Sequence, residues 1–111
     1  MKLLHLITKG RRTGKQHERE LYYFDHDGKF VITASAGGRP KHPDWYLNLM
    51  ADPHVSVRIG KKKYEATAKQ VSPTLRKKLW AELVCQAPMY AGYQKKTSRV
   101  IPMVLLTLSE E

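Results

Sequence analysis

The stretch LYYFDHDGKFVITAS, residues 21–35, does most to decide the fold. Aromatic and β-branched residues, which favour strands, dominate residues 21–24 and 30–35 on either side of a polar segment. That segment, residues 25–28 (DHDG), ends in an Asp-Gly pair, which tolerates the positive φ angles of a tight hairpin turn. The stretch therefore predicts two antiparallel strands joined by a short turn.

Four further strand signals flank this hairpin, at residues 3–8, 55–59, 64–68 and 103–108. The first and last are the short apolar runs LLHLIT and MVLLTL, of a length typical of strands. Residues 55–59 (VSVRI) alternate between apolar and polar side chains, as a half-buried strand does. A Gly60-Lys61 turn connects them to residues 64–68, so these two segments predict a second hairpin.

A first helix is predicted to begin at Pro43 and to end at Asp52. Proline suits the first turn of a helix, whereas the residue before a proline resists the α conformation. Asp44 favours the positive end of the helix dipole. The apolar face of this helix is expected to comprise Trp45, Tyr46, Leu49 and Met50.

A second helix is predicted from Pro73, with Ser72 as its N-cap residue. Leucines then repeat at i, i+4 and i+8, as Leu75, Leu79 and Leu83. Cys85 is expected on the apolar side of this helix as a small buried thiol. Pro88 ends the helix and opens a third, short helix that runs to Lys96.

The elements in order are about six strands, with helices inserted after the third and the fifth. Hairpin connections make the sheet antiparallel, and a small β-barrel with flanking helices is its natural closure. The chain is therefore assigned to the α+β class, mainly β with α. Its 111 residues suffice for one domain, which is expected to cover residues 1–111.

The charge balance narrows the class of partner. The chain carries 20 Lys and Arg against 10 Asp and Glu, a net charge of +10. Such an excess favours a polyanionic partner: nucleic acid, an anionic membrane surface, or a phosphorylated or polycarboxylate ligand. Cys85 is the single cysteine, which excludes an internal disulfide and favours a reducing, cytoplasmic location. No apolar run approaches the roughly 20 residues that a membrane-spanning helix needs.

The loop Gly10-Arg11-Arg12-Thr13-Gly14, between two predicted strands, is the first candidate site. Glycines let the backbone approach a ligand closely, and arginine guanidinium groups match the geometry of phosphate. The spacing is not that of a Walker phosphate-binding loop. The alternative interpretation is a solvated basic hairpin turn.

A second candidate site joins the Gly-rich residues 34–38 (ASAGG) to the N-terminus of the first helix, which presents backbone amides to a ligand. Trp45 and Tyr46 could wall a flat aromatic ring, and Asn48 could form a hydrogen bond with it. The alternative interpretation is a plain connector followed by a core tryptophan.

Tyr90 and Tyr93 form a third candidate, because residues three apart share one face of a helix. A tyrosine can donate a proton or orient a substrate carbonyl, although a pair of interfacial aromatic residues is an equal alternative. The five histidines and one cysteine show no metal-ligand spacing, so no metal site is expected.

Taken together, these segments resemble the deazaflavin (F420)-dependent nitroreductase family. Its characteristic run is a G-R-K-[ST]-G loop, an A-S segment, N/H-P-x-W-Y-x-N-L, and late tyrosines ahead of T-x-R-x-I-P. The corresponding segments in this chain are residues 10–14, 34–35 and 42–49, Tyr90 and Tyr93, and residues 97–102. Their order and spacing match over nearly the whole chain.

The resemblance implies a split β-barrel like that of FMN-binding proteins, usually dimeric, and coenzyme F420, a deazaflavin with a phosphate and a polyglutamate tail. The implied reaction is hydride transfer from C5 of the reduced deazaflavin to an electron-poor small molecule: a quinone, an enone or a nitroaromatic.

The resemblance also implies roles for individual residues. Those near the phosphate are Arg11, Arg12, Thr13, Gly14 and His17, where His17 replaces a basic residue that the family often carries. Those along the deazaflavin are Ser35, Ala36, Gly37, Gly38, Pro43, Trp45 and Asn48. Those on the substrate side are Tyr90 and Tyr93, with Tyr93 or Ser35 as the candidate proton donor.

Other functions stay open at this point. The same fold could use FMN, or could serve as a non-catalytic carrier of F420, FMN or a fatty acid. The basic charge alone would also suit a nucleic-acid-binding module, but the chain carries no recognised motif of that class, so nucleic acid is not the expected partner. Peripheral contact with an anionic membrane is compatible with the same charge.

Overall fold

Six strands form the sheet of the computed structural model, which describes residues 1–109: β1 (Lys2–Lys9), β2 (Gln16–His26), β3 (Lys29–Thr33), β4 (His54–Ile59), β5 (Lys62–Gln70) and β6 (Met103–Leu108). All neighbouring strands are antiparallel, and the sheet closes into a barrel in the order β1-β2-β3-β6-β5-β4. The predicted barrel is therefore confirmed, including its strand number.

Three α-helices accompany the barrel within the described range: α1 (Asp44–Ala51), α2 (Pro73–Gln86) and α3 (Met89–Lys95). They follow the third and the fifth strands, as predicted. Ser72 caps α2 through its side-chain oxygen, which accepts a hydrogen bond from the N–H of Leu75 at 3.2 Å. Among the described residues, no helix is long and apolar enough to cross a lipid bilayer.

The turn between β2 and β3 has the conformation that its sequence predicts. Asp27 and Gly28 have φ angles of 54° and 76°, so both central residues are left-handed, as in a type I′ turn. Phe24 therefore pairs with Val31, and Asp25 pairs with Phe30. The twist of this turn matches the twist of the flanking strands, which stabilises their register.

The strand bounds of this hairpin differ from the prediction in two places. β2 begins at Gln16 rather than Leu21. Its polar first half pairs with the second half of β1, from Gln16 opposite Lys9 to Glu20 opposite His5. Residues 16–20 are exposed, so no apolar alternation marks them as a strand. β3 ends at Thr33 rather than Ser35, because Ser35 adopts a right-handed helical conformation with φ −77° and ψ −37°.

The apolar core consists of two clusters separated by the sheet. The first fills the barrel and includes Leu4, Leu6, Ile32, Val57, Val104 and Leu106, together with Trp45, Tyr46 and Leu49 of α1. The second lies under α2 and α3 and includes Phe24, Val31, Leu79, Leu83, Tyr90 and Met103. β3 and β6 bury both faces, since alternate residues point to different clusters. Burial of a leucine such as Leu79 contributes about 1.5–3 kcal/mol.

Two burial predictions are wrong. Met50 is 51% exposed and does not belong to the apolar face of α1, which instead buries Asn48. Cys85 is also exposed rather than buried. Both residues occupy positions on the solvent side of their helices, and helical spacing alone did not fix where the apolar stripe ends.

Candidate functional site

The loop between β1 and β2 is a compact turn. The N–H of Gly10 donates to the carbonyl of Lys15 at 2.7 Å, and the N–H of Gly14 donates to the carbonyl of Gly10 at 2.9 Å. A side chain at Gly10 would place its Cβ 2.8 Å from Nε2 of His17, so only glycine lets the imidazole approach this closely. The imidazole of His17 therefore lies against the loop at Gly10.

Asn48 anchors this loop from α1. Asn48 is buried, and its Oδ1 accepts two hydrogen bonds from Arg11. One comes from the backbone N–H of Arg11 at 3.2 Å and the other from Nη1 of Arg11 at 2.9 Å. Its Nδ2 donates to Oγ1 of the buried Thr8 at 3.3 Å. The amide is thus committed to protein groups on both sides, which makes Asn48 a support for Arg11.

Two cavities adjoin at the junction of β2, the loop and α1. The smaller, about 440 Å³, is lined by Gly10, Arg11, Arg12, Thr13, His17, Glu18, Arg19, Asp44, Trp45 and Asn48. The larger, about 740 Å³, is lined by Arg19, Glu20, Leu21, Tyr22, Thr33, Ser35, Ala36, Gly37, Arg39, Lys41, His42, Pro43, Asp44, Trp45 and Tyr90. Arg19, Asp44 and Trp45 line both, so the two cavities share a wall.

The cavities are electropositive, because five basic residues (Arg11, Arg12, Arg19, Arg39 and Lys41) outnumber three acidic ones (Glu18, Glu20 and Asp44) along their walls. Asp44 lies 3.4 Å from Nη2 of Arg11, and Glu20 lies 3.4 Å from Nε2 of His5. A hydrogen bond from Arg58 holds the pKa of Glu18 below its usual range. Four cavity cations form no ion pair within residues 1–109: Arg12, Arg19, Arg39 and Lys41. Their charge is available to an anionic ligand.

The segment between β3 and α1 turns sharply at the edge of the larger cavity. Ala36, Gly37 and Gly38 have φ angles of 47°, 64° and 83°, three left-handed residues in succession. A Cβ on Gly38 would lie 2.6 Å from the carbonyl oxygen of Tyr93, so α3 packs directly on this turn. Ser35, Ala36 and Gly37 of this turn line the cavity.

Arg99 holds this turn from the segment before β6. Its guanidinium donates to the carbonyls of Ala34, Ser35 and Arg39 at 3.1, 2.8 and 3.0 Å. It also lies 3.1 Å from Nδ1 of His42. Burial lowers the pKa of Arg99, and burial followed by the nearby Arg99 charge lowers the pKa of His42.

Tyr90 reaches the larger cavity from α3. It is buried, and burial, reinforced by Tyr93 and Tyr22, raises the pKa of its hydroxyl. The hydroxyl is therefore protonated at neutral pH and can donate a hydrogen bond or a proton.

Most of the candidate residues from the sequence line one of the two cavities. The smaller cavity has Arg11, Arg12, Thr13, His17, Trp45 and Asn48. The larger cavity has Ser35, Ala36, Gly37, Pro43, Trp45 and Tyr90. Three candidates are absent from the lining of these two cavities in the described part of the chain: Gly14, Gly38 and Tyr93.

Sequence reasoning gave no site role to several lining residues, namely Arg19, Glu20, Tyr22, Thr33, Arg39, Lys41 and His42, although His42 belongs to the motif at residues 42–49. Arg19 and Glu20 lie in residues 17–20, for which the sequence predicts no strand, and Tyr22 lies in the predicted strand 21–24 outside any motif. The basic residues of the turn before α1 carried a visible signal, because Arg39 and Lys41 flank Pro40 beside the glycines. The role of Arg99 carried no local signal, since its contacts span 57 to 65 residues.

Comparison with known proteins gives concordant matches. A family model described as F420H(2)-dependent quinone reductase matches residues 1–108. An F420H(2)-dependent quinone reductase of Mycobacterium tuberculosis (strain ATCC 25618 / H37Rv) is 40% identical over 109 residues, 95% of this chain and 71% of that protein. A solved structure described as an F420-H2-dependent reductase (FDR-A) has a TM-score of 0.83 at 38% identity, covering 95% of this chain and 93% of that one. Another, described as a domain-swapped dimer, has a TM-score of 0.84 at 38% identity, covering 95% and 79%.

Proposed function

Because the chain belongs to the F420H(2)-dependent quinone reductase family, we propose that it is an oxidoreductase that uses reduced F420 and passes hydride to a quinone. When bound, the deazaflavin supplies the hydride, as a cofactor supplies the difficult chemistry in such enzymes. The polypeptide binds and orients both reactants and supplies a proton. Residues 1–111 then form one cofactor-binding domain, with FMN as the alternative ligand.

The observation that carries this proposal is the shared wall between the two cavities. Arg19, Asp44 and Trp45 line both, so one elongated ligand can extend from the basic loop into the larger cavity. A phosphate would meet the loop, and a flat ring would lie toward Trp45 and the turn at Ser35. The distribution of charge and aromatic surface fits a phosphorylated deazaflavin.

Arg11 and Arg12 have different roles in this proposal. The guanidinium of Arg11 is held by Asn48 and Asp44. Arg11 therefore fixes the loop, and its positive charge attracts the phosphate from a fixed position. Arg12 forms no ion pair within residues 1–109, which leaves its fork of donors for the phosphate. Asn48 acts through Arg11 rather than on the ring.

Tyr90 is the proposed proton donor on the substrate side. It lines the larger cavity, and its raised pKa keeps the hydroxyl protonated at neutral pH. A quinone that gains hydride develops negative charge on its carbonyl oxygen, and a nearby hydroxyl stabilises that charge. Ser35 lines the same cavity and is a second candidate, whereas Tyr93 packs behind Tyr90.

The binding test is a titration with F420 and with FMN, followed by protein and ligand fluorescence. We expect F420 to bind more tightly, and Arg12→Ala to weaken F420 binding by about tenfold, the loss of one charge-assisted contact. Lys61→Ala is the matched control, because Lys61 is an exposed cation on the turn between β4 and β5. Binding of neither F420 nor FMN would refute the cofactor assignment.

The turnover test separates an enzyme from a carrier. The protein, supplied with reduced F420 under anaerobic conditions, is assayed against a panel of quinones, enones and nitroaromatics. We expect quinones to be reduced fastest. Tight F420 binding without reduction of any acceptor would support the alternative of a non-catalytic carrier.

We also propose that the chain forms a homodimer, in line with the related solved structure described as a domain-swapped dimer. Leu3 and Tyr22 pair across β1 and β2 and are 45% and 47% exposed, an apolar surface that a second copy could cover. Sedimentation equilibrium tests this, and a monomer at all concentrations would contradict it. A cytoplasmic location and contact with an anionic membrane stay predictions, the latter testable by co-sedimentation with anionic vesicles.

A further inference from the structure

The side chain of Arg99 is surrounded by the backbone of the turn between β3 and α1. Three carbonyl oxygens, of Ala34, Ser35 and Arg39, accept hydrogen bonds from its guanidinium at 2.8–3.1 Å. These carbonyls belong to six consecutive residues, so the chain curls around one planar group. A guanidinium carries five N–H donors in a fixed plane, and it therefore specifies the shape of the backbone that binds it.

The turn needs such support because its backbone is unfavourable by itself. Ala36 has a φ of 47°, a left-handed conformation that a residue with a Cβ rarely adopts. The carbonyl of Ser35 closes the turn by accepting from the N–H of Gly38 at 2.9 Å, and the same oxygen accepts from Nη2 of Arg99. Arg99 thus holds in place the carbonyl that closes the turn.

Arg99 is itself held in place by α3. Nε2 of Gln94 donates to the carbonyl of Arg99 at 2.8 Å, and Oε1 of Gln94 accepts from the N–H of Ile101 at 3.0 Å. Ile101 is fully buried. The guanidinium therefore extends from a segment held by α3 toward the strained turn at residues 34–39. This is the arrangement expected of a group that imposes a conformation on the turn.

The contact between Arg99 and His42 decides which imidazole nitrogen carries the proton. An arginine side chain can only donate, so Nδ1 of His42 must accept from Nη1 at 3.1 Å and carries no proton. A neutral imidazole then has its N–H at Nε2. His42 lines the larger cavity, and this N–H is its remaining polar group.

The charged surroundings favour the same neutral form. Tyr46 of α1 packs on the imidazole with ring centroids 4.7 Å apart, and Nη1 of Arg99 lies 3.1 Å from its Nδ1. The remaining titratable groups of the larger cavity are Arg19, Glu20, Tyr22, Arg39, Lys41, Asp44 and Tyr90. The low pKa of His42, caused by burial and then by Arg99, agrees with a neutral ring at pH 7.

We propose that Arg99 is a positioning residue that sets the turn at residues 34–39 and fixes His42 as a neutral donor, with its Nε2–H offered to a carbonyl oxygen in the larger cavity. The inference rests on the proposed function for the identity of that carbonyl, which belongs to the deazaflavin or to the quinone. The shape of the turn and the tautomer of His42 do not depend on it.

Arg99→Lys is the first test, because lysine keeps the charge but cannot bind three carbonyls and an imidazole at once. Arg76→Lys is the matched control: Arg76 also donates to a carbonyl, of Ile101 at 2.9 Å, and to Gln94, but it does not line the cavity. We expect both variants to lower Tm to a similar extent. Only Arg99→Lys is expected to weaken F420 binding, by about tenfold or more.

The decisive measurements need no cofactor. Two-bond ¹H–¹⁵N correlation spectra of the histidines should show His42 protonated at Nε2 in the wild type and as a tautomer mixture in Arg99→Ala. Hydrogen exchange of the Gly38 and Arg39 amides should accelerate in Arg99→Ala, and added guanidinium should partly reverse both changes. If Arg99→Ala does not fold, Arg99→Lys is measured in the same way.

An unchanged His42 tautomer together with unchanged exchange of the turn in the Arg99 variants would overturn the inference. Equal losses of F420 binding in Arg99→Lys and Arg76→Lys would also overturn it, because they would show that Arg99 contributes only to the overall stability of the fold. If the wild type binds neither F420 nor FMN, the proposed function fails, whereas the spectra and exchange rates still decide the role of Arg99.

Discussion

Tyr90 and Tyr93 meet edge to face on α3, with ring centroids 5.4 Å apart and ring planes at 78°, yet only Tyr90 of the pair lines the larger cavity. The ring of Tyr93 packs against that of Tyr90, and its backbone contacts the turn at Gly38. Two tyrosines that the sequence makes equivalent therefore have different surroundings. Tyr90 lines the cavity in which the quinone is proposed to bind, and Tyr93 packs against Tyr90.

The first prediction follows from this asymmetry. Tyr90→Phe should lower kcat/KM for quinone reduction by about a hundredfold, the usual effect of removing a general acid. Tyr93→Phe keeps the aromatic packing and should lower kcat/KM by less than about threefold, since no transition-state contact is lost. Steady-state kinetics with reduced F420 measure both. A larger loss in Tyr93→Phe than in Tyr90→Phe would reverse the two assignments.

The second prediction concerns stability at high pH. Burial raises the pKa of Tyr90 above 10.0, so the unfolded chain releases this proton at a lower pH than the folded chain does. The stabilisation from a protonated Tyr90 is complete below about pH 10 and is lost as the pH rises through the folded pKa. Urea unfolding between pH 8 and pH 11 should therefore show a smaller loss of stability in Tyr90→Phe than in the wild type.

Tyr46 provides the control for that experiment. Burial also raises its pKa, and its hydroxyl donates to Oε1 of Gln70 at 2.7 Å. Tyr46→Phe should also reduce, in part, the loss of unfolding free energy at high pH. It should lower stability at neutral pH as well, because Gln70 loses its hydrogen-bond donor. Identical pH profiles for the wild type and Tyr90→Phe would show that Tyr90 does not couple folding to pH in this range.

The fold was predictable because its local signals agree with one another. The Asp27-Gly28 pair adopts the turn that its residues favour, Ser72 caps the helix it precedes, and Pro102 directly precedes β6. Each of these signals acts within a few residues, and the barrel follows from the order of the elements. Met50 and the polar half of β2 were misjudged, because their exposure depends on neighbours distant in sequence.

The candidate site was predictable only as a set of segments. Motif order brought the basic loop, the turn and α1 together, but the partner of each side chain depends on three-dimensional contacts. Asn48 was expected against a ring, yet its amide binds Arg11 and Thr8. Arg99 was part of a motif without a role, because its contacts with residues 34–42 cross the barrel edge. Hydrogen bonds of this sequence separation leave no periodicity to read.

The third prediction tests the close packing of α3 on the turn. Gly38→Ala would bring a Cβ to 2.6 Å from the carbonyl oxygen of Tyr93, at a φ of +83°. Gly37→Ala has a φ of +64° but meets nothing within 4 Å. Gly37→Ala should therefore cost only the left-handed strain, about 1–2 kcal/mol. Gly38→Ala should cost more than about 3 kcal/mol, because backbone must move as well.

Urea unfolding measures both changes, and hydrogen exchange locates them. In Gly38→Ala the amides of the turn and of α3 should exchange faster, while those of β1 and β4 keep their protection. Similar unfolding free energies for the two variants would show that α3 does not pack tightly on this turn.

The fourth prediction separates the structural role of Asn48 from the charge of the loop it supports. Asn48→Ala leaves the buried hydroxyl of Thr8 and the N–H of Arg11 without their partner, and should cost about 1–3 kcal/mol of unfolding free energy. Asn48→Asp keeps an acceptor for Arg11 and should retain more of the stability. In Asn48→Asp the added carboxylate would offset the charge of Arg11, and in Asn48→Ala the loop would lose its anchor, so F420 binding should weaken by about tenfold in both variants.

Salt dependence distinguishes the two losses of affinity. In Asn48→Asp the loss comes from an added negative charge in the smaller cavity, so raising the ionic strength should reduce the difference from the wild type. In Asn48→Ala the loss comes from a loosened loop, so the difference should persist. Met50→Ala, an exposed change on the same helix, is the control and should leave stability within about 0.5 kcal/mol. Wild-type affinity in Asn48→Asp at low salt would mean that the phosphate does not bind beside Arg11.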